Sequence, residues 1–252
     1  MPLRIGFDLD GVFADMESAL VRCATDIFGE AMIERLQERA QDSAASDTTS
    51  ATESEGAAET AGPTVADNTP PILRIKMTSR QTNRLWRHVE TIENFWQDLQ
   101  EIEQGSLARL ATIAAERRWE IIFLTKRPTT AGATAQVQSQ KWLEAKGFTL
   151  PSVFVVQGSR GRIAQALGLD IVVDDRPENC LDVVTDSKAR AVLVWREKQQ
   201  GLPTAARRLG IGVVESIGEC LDILVQVDTM APQEKPGVFN RVMKILGRGA
   251  KP

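Results

Sequence analysis

The sequence predicts an α/β fold, an open parallel sheet with helices on both faces. Two observations predict it: short apolar runs alternate with helical patterns, and each run carries polar residues at its C-terminal end. Leu3 to Leu9 reads as the first strand, apolar apart from Arg4 and Asp8, and it stops at Asp10-Gly11. From Met16 to about Ala40 the pattern is helical, with Ala19, Leu20, Cys23, Ile27 and Phe28 on one face. Arg80 to Gln104 predicts a second amphipathic helix, because Leu85, Val89, Ile92, Trp96 and Leu99 recur at helical spacing. Trp86 and Phe95 widen that stripe. Leu107 to Arg118 is helical, and Glu120 to Leu124 is a strand opening into Thr125-Lys126-Arg127-Pro128. A helix from Ala135 to Lys146 stops at Gly147, a natural C-cap. A strand at Val153 to Val156 follows, then a helix from Gly161 to Leu167, then a strand at Ile171 to Val173 ending in Asp174-Asp175. Arg190 to Val194 and Gly212 to Val214 complete the strands, with a helix from Thr204 to Leu209 between them.

Between these elements, Gln41 to about Pro71 is rich in Ser, Thr, Ala, Glu and Gly. It holds too little apolar surface to offset the entropy of ordering it, so a disordered segment is expected there. Six acids and no Lys or Arg fall between Gln41 and Ile72, and without them 30 basic residues face 28 acidic ones. A body so nearly neutral gives no footprint for nucleic acid, whose binding needs a concentrated basic face; the small basic tail (Lys235, Arg241, Lys244, Arg248, Lys251) is the one exception. Cys23, Cys180 and Cys220 are odd in number and far apart, which argues against a disulfide framework or a zinc site and for buried thiols in a reducing compartment. The start of the chain does not read as a signal peptide, and no run approaches the length of a membrane helix. The expected setting is cytoplasmic, with no membrane partner.

The chemistry-bearing residues gather at strand ends, where ligands of such sheets bind. Asp8 and Asp10, two residues apart, point the same way if the strand geometry persists, and Gly11 lets the backbone turn there. Ionised groups in that position need a partner or a metal. Thr125 follows the run Ile121-Ile122-Phe123-Leu124, and its hydroxyl with the next N–H groups can hold a phosphate oxygen; taken alone, it reads as the start of a turn. Asp174 and Asp175 end a buried strand side by side and repel each other unless a cation intervenes. With Asp8 they would make an oxygen-rich site suited to Mg²⁺. Arg160 or Arg162 supplies a cation at a helix start. His88 is the lone histidine, sits on a helix and has no neighbour at ligand spacing, so it reads as a helix-surface residue and leaves Ser-His-Asp chemistry without a base.

FDLDGVFAD, FLTKRP, and GSRGRIAQALGLD running into IVVDDRPEN together resemble the four ordered motifs of the haloacid-dehalogenase-like (HAD) superfamily, over Leu3 to about Val194. The resemblance implies a Rossmann-like core and a Mg²⁺-dependent phosphomonoester hydrolase. Asp8 would be the nucleophile that forms an aspartyl-phosphate. Asp10 would be general acid/base and lend its backbone carbonyl to the metal. Thr125 and Lys126 would bind the phosphoryl group, Arg160 would balance its charge, Asp174 would complete the metal site and Asp175 would support it. The third motif usually carries Lys, so Arg160 is a departure, with Arg162 a competing alignment.

The same resemblance implies a helical cap inserted after the first strand. The expected division is a core of residues 1–14 and 105–226, a cap of 15–104 and a tail of 227–252, with a small soluble phosphorylated substrate. ENFWQDL, DLDGV and DDRPEN look most like the 5′(3′)-deoxyribonucleotidase branch, which points to a (deoxy)nucleoside monophosphate. Phe95 and Trp96 could stack on a base, although Trp96 on the apolar stripe reads first as a core residue. The competing classes are another phosphotransferase, a phosphoacceptor receiver domain and a non-catalytic HAD-like binding module. A receiver domain is about half this length and carries its acceptor on a central strand. Loss of Asp8 or Asp10 would have marked a non-catalytic module, and both are present.

Overall fold

The computed structural model describes residues 2–36, 77–196 and 208–229. The expected disordered segment at 41–71, the tail beyond 229 and most of the expected helix at Thr204 to Leu209 lie outside them. Strands β1 (Arg4–Asp8), β4 (Glu120–Thr125), β5 (Ser152–Val155), β6 (Ile171–Asp174), β7 (Arg190–Val194) and β8 (Gly212–Val214) form one sheet in the order β5-β4-β1-β6-β7-β8. All neighbouring pairs in it are parallel. Two short strands, β2 (Ala14–Asp15) and β3 (Gln100–Glu101), pair antiparallel apart from it. Helices α3 (Ser106–Arg117), α4 (Ala135–Ala145), α5 (Arg160–Leu167), α6 (Pro177–Asp186) and α7 (Ile217–Thr229) connect or follow the main strands.

Counting main strands along the chain, the order runs 3-2-1-4-5-6, that of the dinucleotide-binding folds. The chain builds outward from β1 through β4 to β5, then returns to place β6 against the other side of β1. Ligands bind in such sheets at that reversal, beyond the carboxyl ends of the strands. Register sets which side chains share it. Asp8 pairs with Leu124, one residue before Thr125, and Phe7 pairs with Val173, one residue before Asp174.

The central strands are apolar on both sides, as a covered parallel sheet requires. Leu124, Val172, Ala191 and Leu193 pack with Leu169, Cys180, Val183 and Ala164 from the α5–α6 layer. On the alternate face Phe7 and Phe123 meet Phe13 with ring centroids 5.5 and 6.2 Å away, and Phe148 closes on Phe123 at 4.9 Å. Phe13 therefore ties the turn after β1 to the core. The three cysteines are buried free thiols.

By internal contacts the chain divides into two compact units: Met1–Asp15 with Trp96–Pro128 and Ala133–Pro252, and Met16–Phe95 with Thr129–Gly132. The second carries helices, with residues 92–94 and 129–132 outside them. Its α1 (Met16–Phe28) stops at Gly29 rather than running to Ala40, and residues 30–36 form a separate helical stretch. Its α2 (Ser79–Thr91) starts on a capping box, with Thr78 Oγ1 accepting from Gln81 N and Gln81 Oε1 accepting from Thr78 N. α2 ends thirteen residues short of the expected Gln104, and the periodicity continues without a helix to carry it. Asn94 adopts a positive φ of 54° and donates its N–H to Ala131 O, so the chain turns away. Trp96 then lies in a 3₁₀ turn (Phe95–Gln97), where its N–H donates to Gln138 Oε1 at 3.0 Å and its Nε1 to Pro128 O at 3.0 Å. Specific tertiary hydrogen bonds override a helical period here.

Candidate active site

Asp8 closes β1, and the next five residues fold into a tight turn. Phe13 N and Ala14 N both donate to Leu9 O, at 2.9 and 2.8 Å, and Gly11 N donates to Ala14 O at 3.0 Å. Gly11 is required: its φ is +82°, and a Cβ there would stand 1.9 Å from Asp175 Oδ2. The turn thus brings Asp8, Asp10 and the β6 acids to the same reversal of strand order.

Arg160 decides between the two candidate cations. Gly161 lets the first turn of α5 press against α6, since a Cβ there would meet Asp182 O at 2.1 Å. Ser159 caps that turn by accepting from Arg162 N at 3.4 Å. Arg160 thereby points inward and is 1% exposed, whereas Arg162 is exposed. The Arg160 Nη2 donates to Asp8 Oδ1, and its Nε lies 3.4 Å from Asp174 Oδ2. Its Nη1 and Nε have no hydrogen-bond partner although both are buried.

Asp174 is fully buried and held from α6: Asn179 Nδ2 donates to both its oxygens at 2.9 and 3.0 Å, and Arg176 N donates at 3.0 Å. Burial pushes the Asp8 carboxyl well above the ordinary range; Arg160 draws it back, while Asp174, Asp175 and Asp10 push it further. Burial and then Asp174 push Asp175 up to about 8. Burial, then the Arg160 and Arg176 charges, hold the half-buried Lys126 below its ordinary value.

Asp10 has a different setting. Thr125 Oγ1 donates to its Oδ2 at 3.0 Å, and Arg127 donates from Nε at 3.1 and 3.0 Å and from Nη2 at 2.8 Å. Sequence reasoning gave Arg127 no role, although it assigned Thr125 and Lys126 of the same Thr-Lys-Arg-Pro run to phosphoryl binding. It also assigned no role to Asn179, or to Arg196 beyond β7. Arg196 donates to the carbonyls of Gly11 and Val12 and, at 3.0 Å, to Glu103 Oε1. Phe95 and Trp96 are 6% and 0% exposed, so Trp96 is a core residue and presents no face for a base.

Among the described residues no three acid, His or Cys groups are gathered closely enough to hold a metal ion. The donor chemistry nevertheless suits Mg²⁺: the crowded carboxylates are hard oxygen donors that raise one another, and a divalent cation relieves that repulsion. No described helix is long and apolar enough to cross a membrane.

No protein-family model matches the chain, and no curated protein matches it. Solved structures do. A hydrolase from Pseudomonas syringae aligns at 16% identity and TM-score 0.47, over 92% of this chain and 100% of that one. A HAD family hydrolase from Deinococcus radiodurans R1, with bound phosphate and sodium, aligns at 16% and 0.45, over 89% and 96%. A 2-haloacid dehalogenase from Pseudomonas syringae pv. Tomato aligns at 14% and 0.43, over 90% and 99%. Function is read from the site, because likeness at this level does not transfer it.

Proposed function

We propose that the protein is a Mg²⁺-dependent phosphomonoester hydrolase of the HAD type, acting on a small soluble substrate through an aspartyl-phosphate. One observation carries this reading: Asp8, Thr125 and Asp174 lie at the carboxyl ends of three adjacent parallel strands, with Arg160 spanning Asp8 and Asp174. An Asp8 oxygen attacks phosphorus as the ester P–O bond breaks, and Asp10 gives the leaving oxygen its proton. Asp10 then takes a proton from water as that water attacks phosphorus and the Asp8–phosphorus bond breaks. Thr125 and Lys126 hold phosphoryl oxygens, and Arg160, whose buried Nη1 has no hydrogen-bond partner, offsets the developing charge. Asp8 and Asp174 carboxylates and the Asp10 carbonyl would hold Mg²⁺, with Asp175 beside them. When bound, Mg²⁺ offsets charge on the transferring group. Among substrates, (deoxy)nucleoside monophosphates are the first class to test, on the motif resemblance and not on an aromatic stacking site.

The test is turnover of a generic aryl phosphate with Mg²⁺, followed by a screen of nucleotides and sugar phosphates. Asp8→Asn should abolish turnover in a folded protein, because an amide cannot form the acyl phosphate. Retention of more than about a tenth of wild-type turnover excludes Asp8 as nucleophile, since losing a covalent route costs orders of magnitude.

A further inference from the structure

Arg127 carries no role in the reaction just described, yet it has the most complete mount at the strand ends. Its side chain is fully buried while that of Asp10 is 12% exposed. The guanidinium carbon lies 5.1 Å from the centroid of Trp96 and 5.6 Å from that of Trp142. Its Nη1 donates to Ser139 Oγ at 2.9 Å, and Ser139 donates on to Ala135 O at 2.7 Å. Each tryptophan is itself fixed, Trp96 Nε1 on Pro128 O and Trp142 Nε1 on Leu99 O at 3.0 and 2.7 Å. The remaining donors, Nε and Nη2, form a fork on Asp10.

We infer that Arg127 is a positioning residue that holds the Asp10 carboxylate in its working orientation throughout the reaction. This rests on the phosphohydrolase reading of the same site. A general acid/base must keep one oxygen lone pair free for the proton, and Asp10 begins with each oxygen accepting two contacts: Oδ1 from Nη2 and Nε, Oδ2 from Nε and the Thr125 hydroxyl. That hydroxyl has one proton and donates to one acceptor at a time. When Thr125 turns to a phosphoryl oxygen it vacates one lone pair of Oδ2 on the substrate side, while Nε still donates to Oδ2 and Nη2 keeps Oδ1. The fork therefore preserves the aim of the carboxylate at the moment its other restraint is withdrawn. Lysine could not do the same from this position, because one ammonium lacks the planar fork.

The test compares an aryl phosphate with an alkyl phosphate, with Mg²⁺, on wild type, Arg127→Met and Arg127→Lys, with circular dichroism as the check on folding. The methionine keeps an apolar stem between the tryptophans. The alkyl ester depends on the acid in the first step, so its kcat should fall about 100-fold in Arg127→Met. The aryl kcat should fall about tenfold with KM within about threefold, and phosphorylated Asp8 should accumulate on acid quench, because water activation is impaired. Arg127→Lys should recover part of the alkyl loss, and it carries the test alone if the methionine variant does not fold. Equal losses on the two esters, or a folded variant with wild-type kcat on the alkyl ester, would make the pair a buried structural ion pair and overturn the inference. A wild type that hydrolyses neither these esters nor the screened phosphates removes the phosphohydrolase reading and this inference together. That result is distinct from an active enzyme indifferent to Arg127.

Discussion

Arg127 and Arg160 are both buried at the carboxyl ends of one sheet and both contact an acid of the Asp8–Asp10 pair, but their donors are used differently. Arg127 engages Asp10 and Ser139 and lies against two tryptophan rings. Arg160 spans Asp8 and Asp174, the latter through Nε, and leaves its buried Nη1 without a partner. A buried donor without a partner costs about 1–3 kcal/mol, so a protein keeps one chiefly where something else engages it. The guanidinium with all three nitrogens engaged suits a fixed mount, and the one with an unpartnered Nη1 suits an anion-binding group. On the Arg160 side, Asp8 and Asp175 are pushed upward by burial and by neighbouring acids, at the strand ends where a phosphoryl group and a cation are proposed.

The strongest test of this contrast removes Arg160. Arg160→Met leaves Asp8 and Asp174 buried with no cation between them, and breaking a buried pair this way costs about 3–5 kcal/mol. Thermal unfolding without divalent ions should show that loss, and added Mg²⁺ should recover part of it if the acids hold the ion. Turnover should fall about 100-fold or more, as for loss of a donor to the developing charge. An Arg160→Met protein as stable and as active as wild type would erase the distinction between the two arginines.

A smaller effect is expected at Gly11, on the acid-crowded side. Gly11→Ala puts a methyl group on a backbone with φ +82° and drives it into Asp175, whose Oδ2 lies 1.9 Å from the new carbon. The left-handed backbone alone costs about 1–2 kcal/mol. Asp175 must also swing aside, which should disturb the acid pocket and lower turnover, while the Trp96–Arg127–Trp142 stack stays in place. Unchanged stability and activity would show that the turn adapts and that Asp175 is not held against it.

Much of this architecture was legible in the amino-acid pattern. Strands such as Ile171–Asp174 are covered on both faces and so read as continuous apolar runs, and the acids stand out because they end them. Arg160 was legible only as one of two candidates; the choice depends on the α5–α6 approach at Gly161, a packing contact that no local pattern announces. Arg127 was missed because its partners are far away in the chain: Asp10 precedes it by 117 positions, and Trp96 and Trp142 flank it from separate elements. Trp96 itself was drawn into the wrong element by a helical period that survives past the last helical residue, Thr91. Asn179, five residues beyond Asp174, had a usable signal: an amide in the first turn of a helix, within reach of the acid that ends the preceding strand.

The smallest expected effect concerns a third arginine, the partly exposed counterpart of the buried pair. Arg196 donates to the Gly11 and Val12 carbonyls and pairs with Glu103, whose oxygens accept from Ile217 N at 2.8 Å and Gly218 N at 2.9 Å at the start of α7. Burial alone would raise the Glu103 carboxyl; those two N–H groups and Arg196 outweigh it and hold it below its ordinary value. A carboxyl depressed in the folded state adds stability that is present above its unfolded value, about 4.3, and is lost as pH falls through the lower folded value. Glu103→Gln should therefore cost about 0.3–1 kcal/mol near neutral pH, the scale of a charge at a helix N-terminus. The difference from wild type should shrink as pH drops below about 4, where the native carboxyl also becomes neutral. Urea unfolding of both proteins at several pH values measures it. A penalty that persists unchanged at low pH would assign the contribution to packing and hydrogen-bond shape instead of charge. A penalty well above 1 kcal/mol would mean that this half-exposed pair, like Arg160, is indispensable to the turn that carries Asp10.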